Sequence, residues 1–503
     1  MLLEGYPIRS ICGGHGGCGQ CKVQVLDGYS MLLTLSEQNL VSKSDAEAGW
    51  RLACQIRPKA DMTVHITQSS IPVLHWRLLQ DSEYGSLPIL PKRPELKHRY
   101  GIAVDLGSTH VRLSLWALGD AKRLTGCIGL NPQIAYGGDV LTRLSMAERS
   151  ESSKLALIRL IRSALANAIE FMLEQTAITA SAIDKMVIVG NTAMLALASG
   201  KNIALLLQPE FWQCCIDIQP ETVEVVQRDL GLSKQMQIDF VPPLGGFIGS
   251  DLLMGVINTQ LTRQPAYSLL VDFGTNSEIA LWDGKKLWVT SAAGGPAFEG
   301  CGISCGMSGE AGAIYRVESD KNTGFQLAVI GDVTAQGLCG SGLIDAIAYL
   351  LEQGLLDKLG RFTRELANGF VLAETDKAIV LNASDIDVFQ RAKASIAACI
   401  RRLCDLAGVA LADLTQIYAS GAFGQWLAIH HAQRVGLLPT IPAERIHLIN
   451  NTALSGCEEV LLISEKQQYL REITTITEVC NMAEDLEFET LYLENLYLQP
   501  MQA

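Results

Sequence analysis

The chain has 503 residues, enough at roughly 100–200 residues per domain for two to four domains. It is 48% hydrophobic and 18% charged, which excludes a disordered or fibrous chain. A net charge of −13 excludes a nucleic-acid binder that relies on a broad basic field. No run of about 18 apolar residues is present to span a membrane, and the quietest stretch, 186–200, is broken by Gly190, Asn191 and Thr192. The opening MLLEGYPIRS lacks a basic segment followed by an apolar run, so no secretory signal is read and a cytoplasmic location is expected.

Residues 1–69 hold Cys12, Cys18, Cys21 and Cys54, four of the 14 cysteines, with strand-like runs at 22–26 and 62–66. The spacing is C-x5-C-x2-C with a distant fourth thiol, a set that can hold a two-iron cluster. Gly13, Gly14, Gly16, Gly17 and Gly19 let backbone N–H groups turn toward sulfur. Zinc is the rival ligand, but structural zinc usually takes paired C-x2-C knuckles and only one is present here. His15 reads as a loop residue, since a Rieske arrangement needs two histidines. The stretch ICGGHGGCGQCKVQVLDG resembles the cluster loop of a ferredoxin, and ACQIRP around Cys54 resembles its fourth-ligand segment. Such domains begin with a β-hairpin ahead of this loop. MLLEGYPIRS stands where the first helix should be under way, so an N-terminally truncated α+β ferredoxin-type domain is expected.

Residues 70–98, with Pro72, Pro88, Pro91 and Pro94, read as a partly extended linker. Residues 99–503 alternate strand-like and helix-like segments, the pattern of an α/β domain, with helices expected at 153–175, 341–353 and 385–406. An internal repeat divides this region into lobes of about 99–265 and 266–503. Val104-Asp105-Leu106-Gly107-Ser108-Thr109 precedes the returning strand ending Leu113-Ser114-Leu115-Trp116, and Val271-Asp272-Phe273-Gly274-Thr275-Asn276 precedes Ile279-Ala280-Leu281-Trp282. In each copy the glycine lets backbone approach a phosphate, the hydroxyl and turn N–H groups donate to it, and the aspartate can hold Mg²⁺. The bland alternative is a pair of hairpin turns; two copies with the same following strand argue for the phosphate loops.

Between the copies, Asp251 follows Pro243-Leu244-Gly245-Gly246-Phe247-Ile248-Gly249-Ser250 near the start of a small-residue helix, either as a catalytic group or as a helix-dipole residue. Glu299 is a second candidate base. Cys301, Cys305 and the adjacent Cys214-Cys215 read as thiols rather than ligands, and Trp116 and Trp282 as core. The strand at 417–420 runs into Gly421-Ala422-Phe423-Gly424, a place where an adenosine can lie on backbone. The last 39 residues carry eight acidic and two basic side chains and read as a solvated face; ENLYLQ at 494–499 is read as native sequence.

Two phosphate loops and a later Gly-Ala-x-Gly resemble the acetate and sugar kinase, Hsp70 and actin superfamily. That resemblance implies a two-lobed α/β ATPase. Asp105, Gly107, Ser108 and Thr109 would form its first phosphate loop; Asp272, Gly274, Thr275 and Asn276 its second. Gly421, Ala422 and Gly424 would lie along the adenosine, and Asp251 on the first connecting helix. The whole chain resembles the reductive activators of corrinoid-dependent methyltransferases. VIVGNTAM (187–194), AGGPAFEGCGISCGM (293–307), GLCGSGLIDAIAYLLEQGLLD (337–357), ASGAFGQWL (419–427) and VGLLP (435–439) carry the resemblance. Asn450-Asn451-Thr452-Ala453-Leu454 departs from the family's Gly-Asn-x-Ala-Leu. The resemblance implies an ATPase that passes one electron from a [2Fe–2S] cluster to the Co(II) corrinoid of a methyltransferase system, restoring Co(I), with ATP and Mg²⁺ as cofactors. Its partners would be a corrinoid protein and a low-potential donor of ferredoxin or flavodoxin type; a homodimer is one candidate state. The alternatives are an activator of a radical dehydratase or reductase, a non-catalytic redox-responsive ATP-binding protein, and a small-molecule kinase with an appended ferredoxin.

Overall fold

A computed structural model describes residues 16, 19, 21–27, 32–66, 76–294, 296–300, 302–321, 324–363, 366, 368–375, 378–421, 423 and 426–501. Cys12, His15, Cys18, Cys301, Ala422 and Gly424 lie outside them. The chain divides into two compact units, residues 1–80 with 90–250, and residues 81–89 with 251–503.

The first unit begins with a three-stranded antiparallel sheet in which β1 (Lys22–Asp27) lies between β2 (Trp50–Leu52) and β3 (Thr63–His65). Helices α1 (Leu35–Leu40) and α2 (Lys43–Glu47) join β1 to β2. Thr34 and Glu37 form a capping box on α1, and the buried Glu37 also accepts the Leu52 N–H at 3.0 Å, tying helix to sheet. The core is small, with Cys21, Val23, Val41 and Leu52 fully enclosed.

The larger part of this unit is a six-stranded sheet. Its strands are β4 (Arg77–Leu78), β5 (Tyr100–Leu106), β6 (His110–Ala117), β7 (Lys122–Leu130), β8 (Ile183–Gly190) and β9 (Gln237–Phe240), in the order β4-β7-β6-β5-β8-β9. β5, β6 and β7 form an antiparallel meander; β8 pairs parallel with β5, and β9 parallel with β8. Helices α3 (Val140–Glu148), α4 (Glu151–Thr176), α5 (Thr192–Ser199) and α6 (Val223–Asp229) accompany it. Ser150 caps α4, whose stripe Leu157, Ile161, Leu165, Ala168 and Met172 recurs every three to four residues and is buried against the sheet.

The second unit opens with α7, which spans Ser250–Thr259, so the division falls at 250/251, ahead of the repeat boundary near 265. Its strands β10 (Ser268–Phe273), β11 (Ser277–Trp282) and β12 (Leu287–Ala292) repeat the meander. An insertion follows with β13 (Ala313–Asp320), β14 (Gly324–Val329), β15 (Gly337–Leu338), α8 (Gly340–Glu352), β16 (Phe370–Ala373), β17 (Ile379–Leu381) and α9 (Ala383–Ala407). Then come β18 (Gln416–Gly421), α10 (Ile429–Arg434), β19 (Ile446–Leu448), α11 (Thr452–Leu462), α12 (Ser464–Ile476), β20 (Thr477–Val479) and α13 (Phe488–Glu494). The sheet order is β19-β18-β10-β11-β12-β20, with β18 parallel to β10 and β19 parallel to β18. Both large sheets therefore have the same five-strand topology, differing in the added edge strand.

Two expected surface segments are built in. Within the 70–98 stretch, Arg77–Leu78 pairs with β7, the Arg93 N–H donates to the Gly119 carbonyl, and residues 81–89 belong to the second unit. The acidic tail is also docked, because Leu498 and Met501 are buried and Asp485 and Glu494 pair with Arg402 and Arg401 of α9. Lys393 of α9 is fully buried and donates to the Asn495 and Tyr497 carbonyls at the end of α13. A cation suits the carbonyl end of a helix, which offsets part of the cost of its burial.

Burial holds the Lys393 ammonium down at about 7. Below that pH it is charged in both folded and unfolded states; above about 10 it is neutral in both. Between the two the unfolded chain binds the extra proton, so stability contributed by this site rises with pH. Thermal unfolding between pH 7 and pH 10 should show that rise, and Lys393→Met should flatten it.

Candidate iron-sulfur and nucleotide sites

Cys21 precedes β1 and Cys54 follows β2, and the Ala53 N–H donates to the Cys21 carbonyl at 2.9 Å, so the ends of two paired strands bring the thiols together. The Cys54 thiol is drawn down to about 6, first by the Cys21 side-chain hydrogen bond and, against the cost of burial, by Gln55 and the Gly16 backbone. Gln55 Nε2 lies 3.5 Å from its sulfur. Thiolate character and backbone donors at sulfur are what an iron-sulfur ligand needs, so the described half of the cysteine set fits such a cluster. The other cysteines differ: burial pushes Cys305 up to about 12, Cys339 is buried and donates to the Ile314 carbonyl, and Cys215 is also pushed up, first by burial. Trp116 is core, while Trp282 is half-buried.

In the first unit, Asp105 closes β5 and stands opposite Arg112 of β6, with Arg112 Nη1 at 3.2 Å from its carboxylate. Burial pushes the Asp105 carboxyl up and Arg112 pulls it back. The turn behind it is held from within the protein. Asn131 Nδ2 donates to the Gly107 carbonyl at 2.9 Å, the Asn131 N–H to Thr109 at 2.8 Å, and Arg143 Nη1 to Ser108 at 2.7 Å. Asn131 and Arg143 are wholly buried, so three successive carbonyls of Gly107, Ser108 and Thr109 are fixed by donors under the loop.

In the second unit, Asp272 closes β10 and stands opposite Glu278 of β11 and Ser420 of β18. Thr275 Oγ1 lies 3.1 Å from both carboxylate oxygens of Glu299, so Glu299 supports the loop rather than standing apart. Gly421 has φ of 91°, and a Cβ there would collide with the Phe273 carbonyl oxygen and lie 2.5 Å from Asp272 Oδ1; only glycine fits between the two strands. Asp251 sits in the first turn of α7, as its spacing predicts.

Glu278 was not among the residues that sequence reasoning singled out. It is buried, and its carboxyl is raised well above the usual range by burial first, then by Asp251 and Asp272. Aligning the two returning strands on their shared Leu-x-Leu-Trp and Ile-Ala-Leu-Trp ends sets Glu278 against Arg112. The two repeats thus put opposite charges at one position: a cation beside Asp105, a carboxyl beside Asp272. Among the described residues no three His, Cys, Asp or Glu side chains form a metal cage.

Fold and site define a ferredoxin-type module joined to a two-unit ATPase-type domain of the actin and sugar-kinase class. Three protein-family profiles match consecutive stretches: "2Fe-2S iron-sulfur cluster binding domain" over 1–59, "RACo middle region" over 100–264, and "C-terminal domain of RACo the ASKHA domain" over 266–503. The chain is 29% identical to a corrinoid activation enzyme, RamQ, of Eubacterium limosum, covering 98% of this chain and 94% of that one. It is 28% identical to a [Co(II) methylated amine-specific corrinoid protein] reductase of Methanosarcina barkeri, over 74% and 72% of the two chains. Its fold matches a solved reductive activator for a corrinoid, iron-sulfur protein, with a TM-score of 0.69 over 99% and 95% of the chains at 23% identity. The chain belongs to the RACo-type reductive activators of corrinoid proteins. No helix among the described residues is long and apolar enough to cross a membrane.

Two outcomes are expected at these sites. Serine at Cys12, Cys18, Cys21 or Cys54 should each abolish or bleach a ferredoxin-like visible spectrum of the anaerobically purified protein, whereas Cys305→Ser should leave it intact. A buried acid raised above its unfolded value binds its proton in the folded state, so the stability it contributes is complete at low pH and falls as pH rises past the ordinary carboxyl range. Glu278→Gln keeps the shape and removes that loss. In calorimetry without nucleotide, its gain over the parent protein should be larger at pH 8 than at pH 5.

Proposed function

We propose that the protein is an ATP-hydrolysing reductive activator that restores Co(I) in the corrinoid protein of a methyltransferase system, acting in the cytoplasm. The observation that carries this reading is the presence, in one chain, of Cys21 and Cys54 brought together at the ends of paired strands and of Asp251, Asp272 and Glu278 gathered at the end of β10. The activities of the two relatives, a corrinoid activation enzyme and a Co(II) corrinoid protein reductase, support it. The [2Fe–2S] group, when bound, supplies single electrons, at about −400 mV in plant-type ferredoxins. Each further 100 mV toward a more reducing acceptor costs about 2.3 kcal/mol per electron, a gap that nucleotide hydrolysis and selective binding of the Co(II) partner can cover.

The residues divide the work. Cys12, Cys18, Cys21 and Cys54 hold the cluster. Asp272, with Asp251 beside it, would hold Mg²⁺, which would supply positive charge beside the phosphates; Glu278, its carboxyl raised by burial and by both aspartates, stands at the same place. Gly274, Thr275 and Asn276 cradle phosphate in the second loop; Gly107, Ser108 and Thr109 do so in the first, where Arg112 rather than a metal balances Asp105. Gly421, Ala422 and Gly424 carry the adenosine. A low-potential donor of ferredoxin or flavodoxin type reloads the cluster.

The decisive assay is anaerobic, with the full chain, a Co(II) corrinoid protein and a chemical reductant. Co(I) absorbance should appear only when ATP and Mg²⁺ are both present. Asp272→Asn should lower hydrolysis by well over tenfold with an unchanged visible spectrum. Cys54→Ser should keep hydrolysis and lose Co(I). Co(I) formation by Cys54→Ser at the parent rate would overturn the reading. A chain started at residue 99 is a poorer control, because it also strips β4 and residues 81–89 from the two units.

A further inference from the structure

The threonine of the second loop is held by a carboxylate, and that fixes which way its hydroxyl can act. Thr275 is buried, and its Oγ1 donates to Glu299 from 3.1 Å of each carboxylate oxygen. A hydroxyl has one proton and two lone pairs, and an ionised carboxylate only accepts. The Thr275 proton therefore goes to Glu299, and what the oxygen keeps to offer is electron pairs. An oxygen in that state does not donate to a phosphate. It accepts from water or ligates a hard cation such as Mg²⁺, which takes oxygen donors. Asp272, which closes β10 three residues before Thr275, adds a carboxylate of the same hard-donor kind to this turn.

The fold sets Glu299 against Thr275 from several sides. Glu299 ends the short helical turn Pro296–Glu299. Phe298 beside it is buried, with its ring centroid 5.9 Å from that of Phe389 of α9 and 5.2 Å from that of Phe423. Phe423 lies 4.9 Å from Phe273, the residue between Asp272 and Gly274. On the other side, Gly300 has φ of 82°, and a Cβ there would collide with the Met307 backbone, whose N–H donates to the Leu338 carbonyl of β15 at 3.0 Å. Asp385, one turn before Phe389 on α9, is buried and accepts from the Ser304 N–H at 2.6 Å and the Ser304 hydroxyl at 2.7 Å. One face of α9 thus grips the segment that carries Glu299 at two points, Phe389 and Asp385.

We propose that Thr275 Oγ1 is an acceptor toward the cation of Mg-ATP, directly or through one bound water, and that Glu299 is the positioning residue that makes it one by taking its proton. This rests on the ATP site proposed above. It departs from the donor role that the loop pattern predicts for the hydroxyl: the N–H groups of the turn serve the phosphate, and the hydroxyl oxygen serves the cation.

The test separates cation from phosphate in the full-length protein. Its variants are Thr275→Val, which keeps the shape and loses the hydroxyl, Thr275→Ser, Glu299→Gln and the double variant of the first and last. Mn²⁺ stands in for Mg²⁺; its binding to the complex with a non-hydrolysable ATP analogue is read by electron paramagnetic resonance, and binding of ATP in EDTA by calorimetry. Thr275→Val should weaken Mn²⁺ binding by about fivefold or more and leave metal-free ATP within about twofold, while Thr275→Ser keeps both within about twofold of the parent. Glu299→Gln should weaken Mn²⁺ binding by about threefold or more in the parent background, but by less than about twofold on top of Thr275→Val, because its effect passes through the hydroxyl. Weaker metal-free ATP binding by Thr275→Val with unchanged Mn²⁺ affinity would make the hydroxyl a phosphate donor and overturn the proposal. Equal losses from Glu299→Gln in both backgrounds would make Glu299 a plain charge and overturn its positioning role. Both results leave the ATP site standing, whereas a parent protein that binds neither ATP nor the analogue would refute that site and the proposal with it. Should Thr275→Val fail to fold, Thr275→Ala carries the same comparison.

Discussion

The burial of like charges at the end of β10 is the constraint around which the second unit is organised. Asp272, Glu278 and Asp251 lie close enough for each ionised neighbour to raise the Glu278 carboxyl, and burial raises it further. Without a cation the group must hold a proton or spread apart. Everything adjoining it limits spreading: β10 is hydrogen-bonded on both sides, Gly421 leaves no gap on the β18 side, and Glu299 braces Thr275. A cation on phosphate would bring opposite charge to this crowded place, which would tie nucleotide binding to local stability.

The first unit solves the same backbone problem with the opposite charge. Its aspartate is at the same place in the same topology, but Arg112 neutralises it, and a buried arginine and asparagine fix the turn from beneath. A duplicated fold has thus diverged at one cross-strand position: Arg112 pulls the Asp105 carboxyl back down, whereas Asp251 and Asp272 push the Glu278 carboxyl further up.

Much of this was legible in the chain. Helices expected at 153–175, 341–353 and 385–406 fall at Glu151–Thr176, Gly340–Glu352 and Ala383–Ala407, since long apolar stripes with caps leave little ambiguity. The strand-turn-strand repeat reads directly because both copies keep the aspartate, the glycine and the alternating return strand. What stayed hidden was set by partners far apart in sequence. Arg112 and Glu278 look like ordinary polar residues of a strand until the hairpin register sets each opposite its aspartate. Asn131 and Arg143 meet the first loop only after intervening strands and helices have folded. Residues 81–89 read as linker because proline and polar residues usually mean that, and their anchors Asn258 and Asn450 lie more than a hundred residues away.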